Sequence, residues 1–127
     1  MKLLVCGGRG YQNREAAFDA FDRAHEKRPI TLLIHGACVD RKSKLLRGAD
    51  RWAEEWALAR EIPYVGVPAQ WSVYGRSAGP LRNQYMLDSL RPDCVLALPG
   101  HEGTDDMVRR AHAAGLEVWK PYKKADT

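Results

Sequence analysis

The sequence has no apolar run that approaches the roughly 20 residues that a membrane-spanning helix requires. Its N-terminal residues 1–6 lead into glycines too early for a secretory signal peptide. No compositionally biased tract interrupts the 127 residues, which predicts an ordered chain apart from its ends. We therefore expect a cytoplasmic protein with no membrane partner.

Cysteine is also scarce, and its three copies lack the spacing of a metal site. Cys6, Cys38 and Cys94 are an odd number, and two of them lie in apolar, strand-like runs. Since free cysteine packs as a small hydrophobe, we interpret them as buried reduced thiols. The sequence predicts no bound metal and no required cofactor.

The two standard nucleotide-binding motifs are absent as well. The segment GGRG at residues 7–10 does not extend to G-x-G-x-x-G, because Asn13 stands at the last glycine position, and no lysine has the Walker spacing. Groups for acid–base chemistry are few. His35, at a predicted strand end, is one candidate, and a histidine satisfied within its own turn is the alternative.

What the sequence does contain is a regular alternation of strands and helices. Apolar runs predict strands near residues 2–6, 30–34, 64–67, 94–98 and 117–119, and helical patterns begin near residues 13, 50, 79 and 104. Parallel strands need a crossover of helix length. The pattern therefore predicts a single α/β, doubly wound Rossmann-like domain over residues 1–122, with strand order 3-2-1-4-5, helices on both faces and a C-terminal tail at residues 123–127.

In that strand order the most glycine-rich turns meet at the crevice where such folds bind ligands. Glycines let backbone N–H groups approach a phosphate, and the following helix supplies free donors. The predicted ligand-binding residues come from three turns: Gly7, Gly8, Arg9 and Tyr11 after strand one; His35, Gly36, Gly48, Ala49 and Asp50 around helix two; and Pro99, Gly100, His101, Glu102, Gly103 and Thr104 after strand four. A purely structural turn is the alternative for any one of these loops.

Positive charge is concentrated in one loop. The formal net charge is +4, and five cations and two anions stand between Asp40 and Arg51. The basic loop at residues 38–47 is long for such a unit, and we expect it to project from the surface. Three roles stay open: closing over the crevice, recruiting nucleic acid, or keeping the protein soluble.

The predicted third helix carries two further candidates near its start. Arg82 could pair with a phosphate or carboxylate, and Asn83 could bind a sugar or a base edge, while a solvated helix start is the alternative for both. Trp71 and Tyr74, just before this helix, could stack on a base or cover the core.

Five ordered motifs between Val5 and Val118 resemble the SLOG superfamily, which is named for the Smf/DprA DNA-processing proteins and the Lonely-guy nucleotide hydrolases. They are VCGGRGY, IHGA followed by GAD before WAEEWA, PAQW, AGPLRNQYML and PDCVLALPGHEGTDDMVRRA. The closest resemblance is to the small YspA/YpsA-related branch. It implies a Rossmann-like domain that binds a nucleotide or a nucleotide-derived ligand. It also implies a homodimer formed through helices, for which Trp52 and Trp56 could serve as readily as for the core.

In Lonely-guy enzymes the loop PGGxGTxxE holds the phosphate, and its glutamate works with an arginine to cleave base from ribose phosphate. This resemblance implies Arg82 as the catalytic arginine. Met107 stands in the place of the glutamate, and methionine can neither take a proton nor stabilise a positive ribose ring. The neighbouring Asp106 is the acid that would have to replace it. Acids in a first helical turn also complement the helix dipole, and we expect the carboxylates of Asp105 and Asp106 to point sideways from a phosphate.

Three functions follow as hypotheses. The leading one is a nucleotide-binding module of the YspA-related type that senses or processes a nucleotide signal. The second is a hydrolase of an N-glycosidic or phosphate bond, using Arg82 with Asp106, Glu102 or His35. The third is DprA-like binding of single-stranded nucleic acid by the basic loop, which ranks last because no aromatics are interleaved with its charges.

Overall fold

The computed structural model describes residues 1–122, and their sheet has the predicted order. Five parallel strands run β3-β2-β1-β4-β5. They are β1 (Lys2–Cys6), β2 (Leu32–His35), β3 (Tyr64–Gly66), β4 (Cys94–Ala97) and β5 (Glu117–Trp119). The single Rossmann-like α/β domain is therefore confirmed. The predicted tail at residues 123–127 lies outside the described residues.

Five α-helices accompany the sheet in the described chain: α1 (Arg14–Lys27), α2 (Gly48–Ala59), α3 (Trp71–Tyr74), α4 (Ala78–Tyr85) and α5 (Glu102–Ala113). Asn13 caps α1 as predicted, because its Oδ1 accepts a hydrogen bond from the Ala16 N–H at 3.0 Å. No helix among residues 1–122 is long and apolar enough to cross a membrane.

The predicted third helix is built from several pieces. α3 leads into a 3-10 turn at Gly75–Ser77, α4 follows, and a π-helical segment at Met86–Leu90 continues it. Gly75 has φ +56°, which ends α3 and turns the chain toward α4. Arg91, in the left-handed region, follows the π-helical segment.

Two apolar clusters cover the two faces of the sheet. Leu3 and Val5 of β1 belong to the cluster under α1 and α2, whereas Leu4 belongs to the cluster under the π-helical segment and α5. Successive strand residues point to opposite faces, which accounts for the continuous apolar runs of the sequence. In the first cluster Trp56 is fully buried, and its ring packs edge-on against the Phe21 ring with the two ring centroids 5.7 Å apart.

This arrangement opens a crevice at the carboxyl edge of the sheet. The neighbouring strands β1 and β4 are followed by helices on opposite faces, since α1 packs on the first cluster and α5 on the second. A fold of this type binds ligands at such a reversal of strand order. The turns after β1 and β4 therefore border the candidate site.

Candidate functional site

The turns after β1 and β4 are in direct backbone contact. The Gly8 N–H donates to the Pro99 carbonyl at 2.8 Å. A Cβ on Gly8 would lie 3.2 Å from the Gly100 Cα, and a Cβ on Gly100 would lie 2.8 Å from the Gly8 nitrogen and overlap the Thr104 hydroxyl. The two glycine turns that were predicted to face each other thus form one continuous floor for the crevice.

The start of α2 joins this floor. The Ala49 N–H donates to the Gly8 carbonyl at 3.1 Å. Gly48 has φ +64°, and a Cβ there would overlap the Gly8 carbonyl, while a Cβ on Gly7 would lie 2.6 Å from the Ala49 Cβ. Helix α2 can approach the turn after β1 this closely because both positions are glycine.

Helix α5 begins at the same place. Its N-cap residue His101 supplies no side-chain cap, and His101, Glu102 and Gly103 are exposed. Thr104 is buried, with its hydroxyl against Gly100. The first N–H groups of a helix have no partner within the helix, and they carry partial positive charge. Nothing lies within 4 Å of a Cβ added to Gly103, so the side of the first turn of α5 is open to solvent at this position.

Asp50 lies below the surface of the crevice. Its carboxylate is buried and accepts hydrogen bonds from the N–H of Cys38, at 3.0 Å, and of Gly36. Burial raises the pKa of Asp50, and the nearby His35 and Arg82 and the two N–H groups offset this only in part. Asp50, predicted to touch the ligand, therefore holds the turn after β2 in place.

His35 is also turned inward. Its Nδ1 accepts from the Ala37 N–H at 2.9 Å, which leaves the proton on Nε2, 2.9 Å from Glu54 Oε1. The ring is 1% exposed and stacks on Tyr64. Both ring nitrogens of His35 therefore have hydrogen-bond partners within the protein, which agrees with the structural alternative for this residue and not with a role in acid–base chemistry. Glu54 was not identified from the sequence, although it stands one helical turn after Asp50 and so shares its face of α2.

Arg82 reaches from α4 to the ends of β2 and β3. Its Nη1 donates to the carbonyl of Gly36, and also to that of Val67 at 3.3 Å. Burial lowers the pKa of Arg82, partly offset by the charge of Asp50. A Cβ on Gly36 would lie 2.6 Å from Arg82 Nη1 and 3.3 Å from an Asp50 carboxylate oxygen. Gly36 thus leaves room for the side chains of Arg82 and Asp50, whose opposite charges lie near each other under the crevice.

Asn83 lies between the two residues named as catalytic candidates. Its Oδ1 accepts from Arg82 Nε at 3.0 Å, and its Nδ2 donates to Asp106 at 3.0 Å and to the Gly103 carbonyl at 3.3 Å. Asp106 also accepts from Arg109 and from Arg110, the latter at 2.8 Å. The Asp106 carboxylate is therefore engaged beside α5, as expected from its position. Within the described structure it contacts Arg82 only through Asn83.

The partners of Asp106 also set its protonation. Burial by itself would raise the pKa of Asp106, but hydrogen bonds from Arg110 and Asn83 hold it below its ordinary value. A carboxyl of this kind stays ionised and is a poor proton donor. Met107, the next residue, is 1% exposed in the core and has no access to the crevice.

The basic loop forms a small hairpin. Val39 and Leu46 pair as an antiparallel bridge, and the Asp40 carboxylate accepts from the N–H groups of Lys42 and Ser43. Its lysines are exposed, so this part of the loop lies at the surface. Its base is tied to the turn after β1, since Arg47 Nε donates to the Arg9 carbonyl at 3.1 Å.

The remaining predicted residues have structural partners. The Tyr11 carbonyl accepts from Trp52 Nε1 at 2.8 Å, and Trp56 Nε1 donates to Asp22, so the indole N–H groups of both tryptophans of α2 are bonded within the protein. The three cysteines are free thiols, and burial raises the pKa of Cys6 to about 12, which makes it unreactive. No three His, Cys, Asp or Glu side chains among residues 1–122 are grouped to hold a metal ion.

A family model matches the N-terminal part of this chain. The model of the YspA, cpYpsA-related SLOG family matches residues 1–74, more than half of the chain. The chain belongs to this SLOG family. A relative, the Gene 61 protein of Mycobacterium phage D29, is 32% identical over 125 residues, which cover 92% of this SLOG chain and 93% of the phage protein. The part of the chain that the SLOG family model matches contains the turns after β1 and β2, whereas α4 and α5 lie beyond residue 74.

Proposed function

We propose that this SLOG protein binds a nucleotide, or a ligand derived from one, with a phosphate at the start of α5. The proposal is supported above all by the backbone contact of Gly8 with Pro99 and Gly100 directly beside that helix start. With no side chain between the turns, the free N–H groups of residues 102–104 and the Thr104 hydroxyl can surround an anion.

The charges near the crevice agree with an anionic ligand. Asp106 is neutralised by Arg109 and Arg110, and Asp50 is buried beneath the turn after β2. Arg82 brings a cation to the ends of β2 and β3. A phosphate at the start of α5 would therefore meet helix N–H groups, with the nearby buried carboxylates already engaged and the charge of Arg82 one residue of α4 away from Asn83.

Thermal unfolding in the presence of ligands tests this function. We expect nucleoside phosphates, NAD or ADP-ribose at millimolar concentration to raise the Tm, since a ligand that binds the folded state stabilises it. Nucleosides without phosphate should have a smaller effect. Absence of a shift with every one of these phosphates would contradict the proposal.

A Thr104→Val variant locates the phosphate. It keeps the shape of the side chain and removes a hydroxyl, so we expect affinity for nucleoside phosphates to fall about tenfold, the effect of losing one hydrogen bond to a charged group. Thr31→Val is the matched control. Thr31 is exposed just before the amino end of β2, at the opposite end of the strands from the crevice, and its hydroxyl donates a hydrogen bond to the Met1 carbonyl. Equal affinities of Thr104→Val and the unmodified protein would place the phosphate elsewhere.

A second candidate function is cleavage of the N-glycosidic or phosphate bond of a nucleotide. It is favoured by the position of Arg82 at the ends of β2 and β3, where the charge of the buried Asp50 acts on its guanidinium. Chromatography of nucleotides incubated with the protein should then show a released base or phosphate. Arg82→Gln should remove that product and the exposed Arg76→Gln should not; unchanged turnover in Arg82→Gln would exclude Arg82 from the reaction.

A further inference from the structure

A groove of about 610 Å³ runs beside the crevice, along α3 and α4. Its walls include Val67 and Pro68 after β3, Tyr74 of α3, and Leu81, Arg82 and Tyr85 of α4. Tyr74, Leu81 and Tyr85 are each about half exposed, at 51%, 49% and 54%. Large apolar side chains on one short surface that remain this accessible indicate a binding site.

The chemistry of the groove suits a flat, heteroaromatic ring. Tyrosine rings offer stacking faces, and the Gln70 amide, which also lines the groove, offers both a donor and an acceptor to the edge of a base. Arg82 adds a cation that can pair with a base edge or with a phosphate. The volume lies within the range of about 300–1,000 Å³ that is usual for small-molecule sites.

One residue of α4 separates this groove from the proposed phosphate position. Arg82 lines the groove and bonds to the ends of β2 and β3. The next residue, Asn83, donates to the Gly103 carbonyl in the first turn of α5. A ligand that reaches from the groove to the start of α5 therefore needs one part that suits the groove and another that suits the helix start.

We propose that the groove holds the base of the bound nucleotide, stacked on the side chains of Tyr74 and Tyr85, with its edge toward Gln70 and Arg82. The proposal rests on the function proposed above. It adds that the ring contributes to affinity through α3 and α4. Helix α3 forms the end of the part matched by the family model, and α4 lies beyond it. A phosphate compound without a base should consequently bind less tightly.

Isothermal titration with paired ligands tests the groove separately from the phosphate position. Adenosine and guanosine monophosphates are compared with ribose 5-phosphate, which lacks only the base. We expect at least one nucleotide to bind about tenfold or more tightly than ribose 5-phosphate, because stacking on an aromatic side chain favours the base. Tyr85→Ala should lose most of that advantage and the Tyr74→Ala, Tyr85→Ala double variant all of it, with ribose 5-phosphate affinity unchanged in both.

Val73→Ala is the matched control, because Val73 is 67% exposed on α3 and does not line the groove. Circular dichroism and the Tm of each variant verify that it is folded. Equal affinities for nucleotide and ribose 5-phosphate in the unmodified protein, or an undiminished advantage in the double variant, would overturn the inference and leave the phosphate site standing. Absence of binding by every ligand would overturn both proposals. A dimer that dissociates in Tyr85→Ala during sedimentation, with nucleotide affinity unchanged, would assign the groove to a second copy and overturn the inference.

Discussion

At the scale of single residues, Asp106 shows how an acid can stand in the first turn of α5 without opposing an anion. Its carboxylate accepts hydrogen bonds from Asn83, Arg109 and Arg110. Asn83 in turn bonds to the Gly103 carbonyl, so the acid also fixes α4 against α5. Its main contribution is therefore to the position and stability of the site.

Asp106→Asn should destabilise the protein by about 1 kcal/mol near neutral pH, because it removes two ion pairs from a carboxylate that is only 12% exposed. The folded-state pKa of Asp106 lies below its unfolded value, so this stabilisation is present above about pH 4 and is lost as the pH falls through the folded pKa. Urea unfolding of both proteins near pH 7 and near pH 3 measures the difference, which should shrink in acid.

Asp105→Asn is the control for this series. Asp105 is the neighbouring acid in the same helical turn, and it is exposed. Its substitution should change the free energy of unfolding by less than about 0.5 kcal/mol. A difference for Asp106→Asn that is the same at both pH values would show that the residue acts through packing and not through its charge.

The residues of the site divide into those that the sequence could predict and those that it could not. Gly8 and Gly100 were predicted because a glycine just after a buried strand is typical of a tight turn that brings the backbone close to a ligand or another chain segment. The inward orientation of His35 could not be predicted, since it depends on Glu54, 19 positions away, and on a turn in which Ala37 takes φ +50°. Partners brought together by the fold leave no local pattern.

At the scale of secondary structure, the contact of α2 with the turn after β1 depends on the absence of side chains. Gly7→Ala would place a methyl 2.6 Å from the Ala49 Cβ and 2.9 Å from the Leu98 Cβ. Both neighbours belong to the buried core, so α2 or the turn must shift. We expect a loss of about 1–3 kcal/mol in the free energy of unfolding, measured by chemical denaturation.

Gly10→Ala tests whether this cost comes from crowding or from loss of glycine itself. Gly10 belongs to the same turn, lies outside the left-handed region, and has nothing within 4 Å of an added Cβ. The variant should be unchanged or more stable by up to about 1 kcal/mol, because alanine restricts the unfolded chain. Equal losses at both positions would refute the crowding argument.

The elements themselves were predicted unevenly. Strand β1 has the predicted bounds, and Asn13 caps α1, because apolar runs and capping residues are local signals. The division of the third helical segment was missed. It depends on Gly75 at φ +56° and on a π-helical segment, and neither changes the apolar period enough to be seen in the sequence.

At the scale of the whole molecule, the alternation of strands and helices predicted a parallel sheet, and the doubly wound fold class supplied the strand order. Parallel neighbours need helical crossovers, and in the order 3-2-1-4-5 strands one and four are adjacent, so that the glycine-rich turns meet. The structure has both features, with Leu3 of β1 beside Cys94 of β4 and Leu33 of β2. The two resulting faces differ in composition: the large aromatics pack under α1 and α2, and Met86 and Met107 pack under the π-helical segment and α5.

Met107 connects this core to the question of catalysis, because a glutamate stands at that position in Lonely-guy enzymes. It is 1% exposed in a cluster with Leu4, Ile34 and Val95. Met107→Glu should therefore lower the free energy of unfolding by more than about 3 kcal/mol near neutral pH, because a carboxylate would be buried without a partner. Desolvation would raise its folded-state pKa, so the loss should diminish as the pH falls toward about 4.3.

Met107→Leu separates charge from shape. It keeps the side chain apolar and similar in volume, and should cost less than about 1.5 kcal/mol at every pH. Urea unfolding across the pH range measures both variants, and chromatography of nucleotides tests them for cleavage. A stable Met107→Glu protein that releases base from a nucleotide would contradict the argument that position 107 is buried. It would mean that the side chain at this position reaches the crevice. It would also mean that one substitution is enough to complete a hydrolytic site with Arg82.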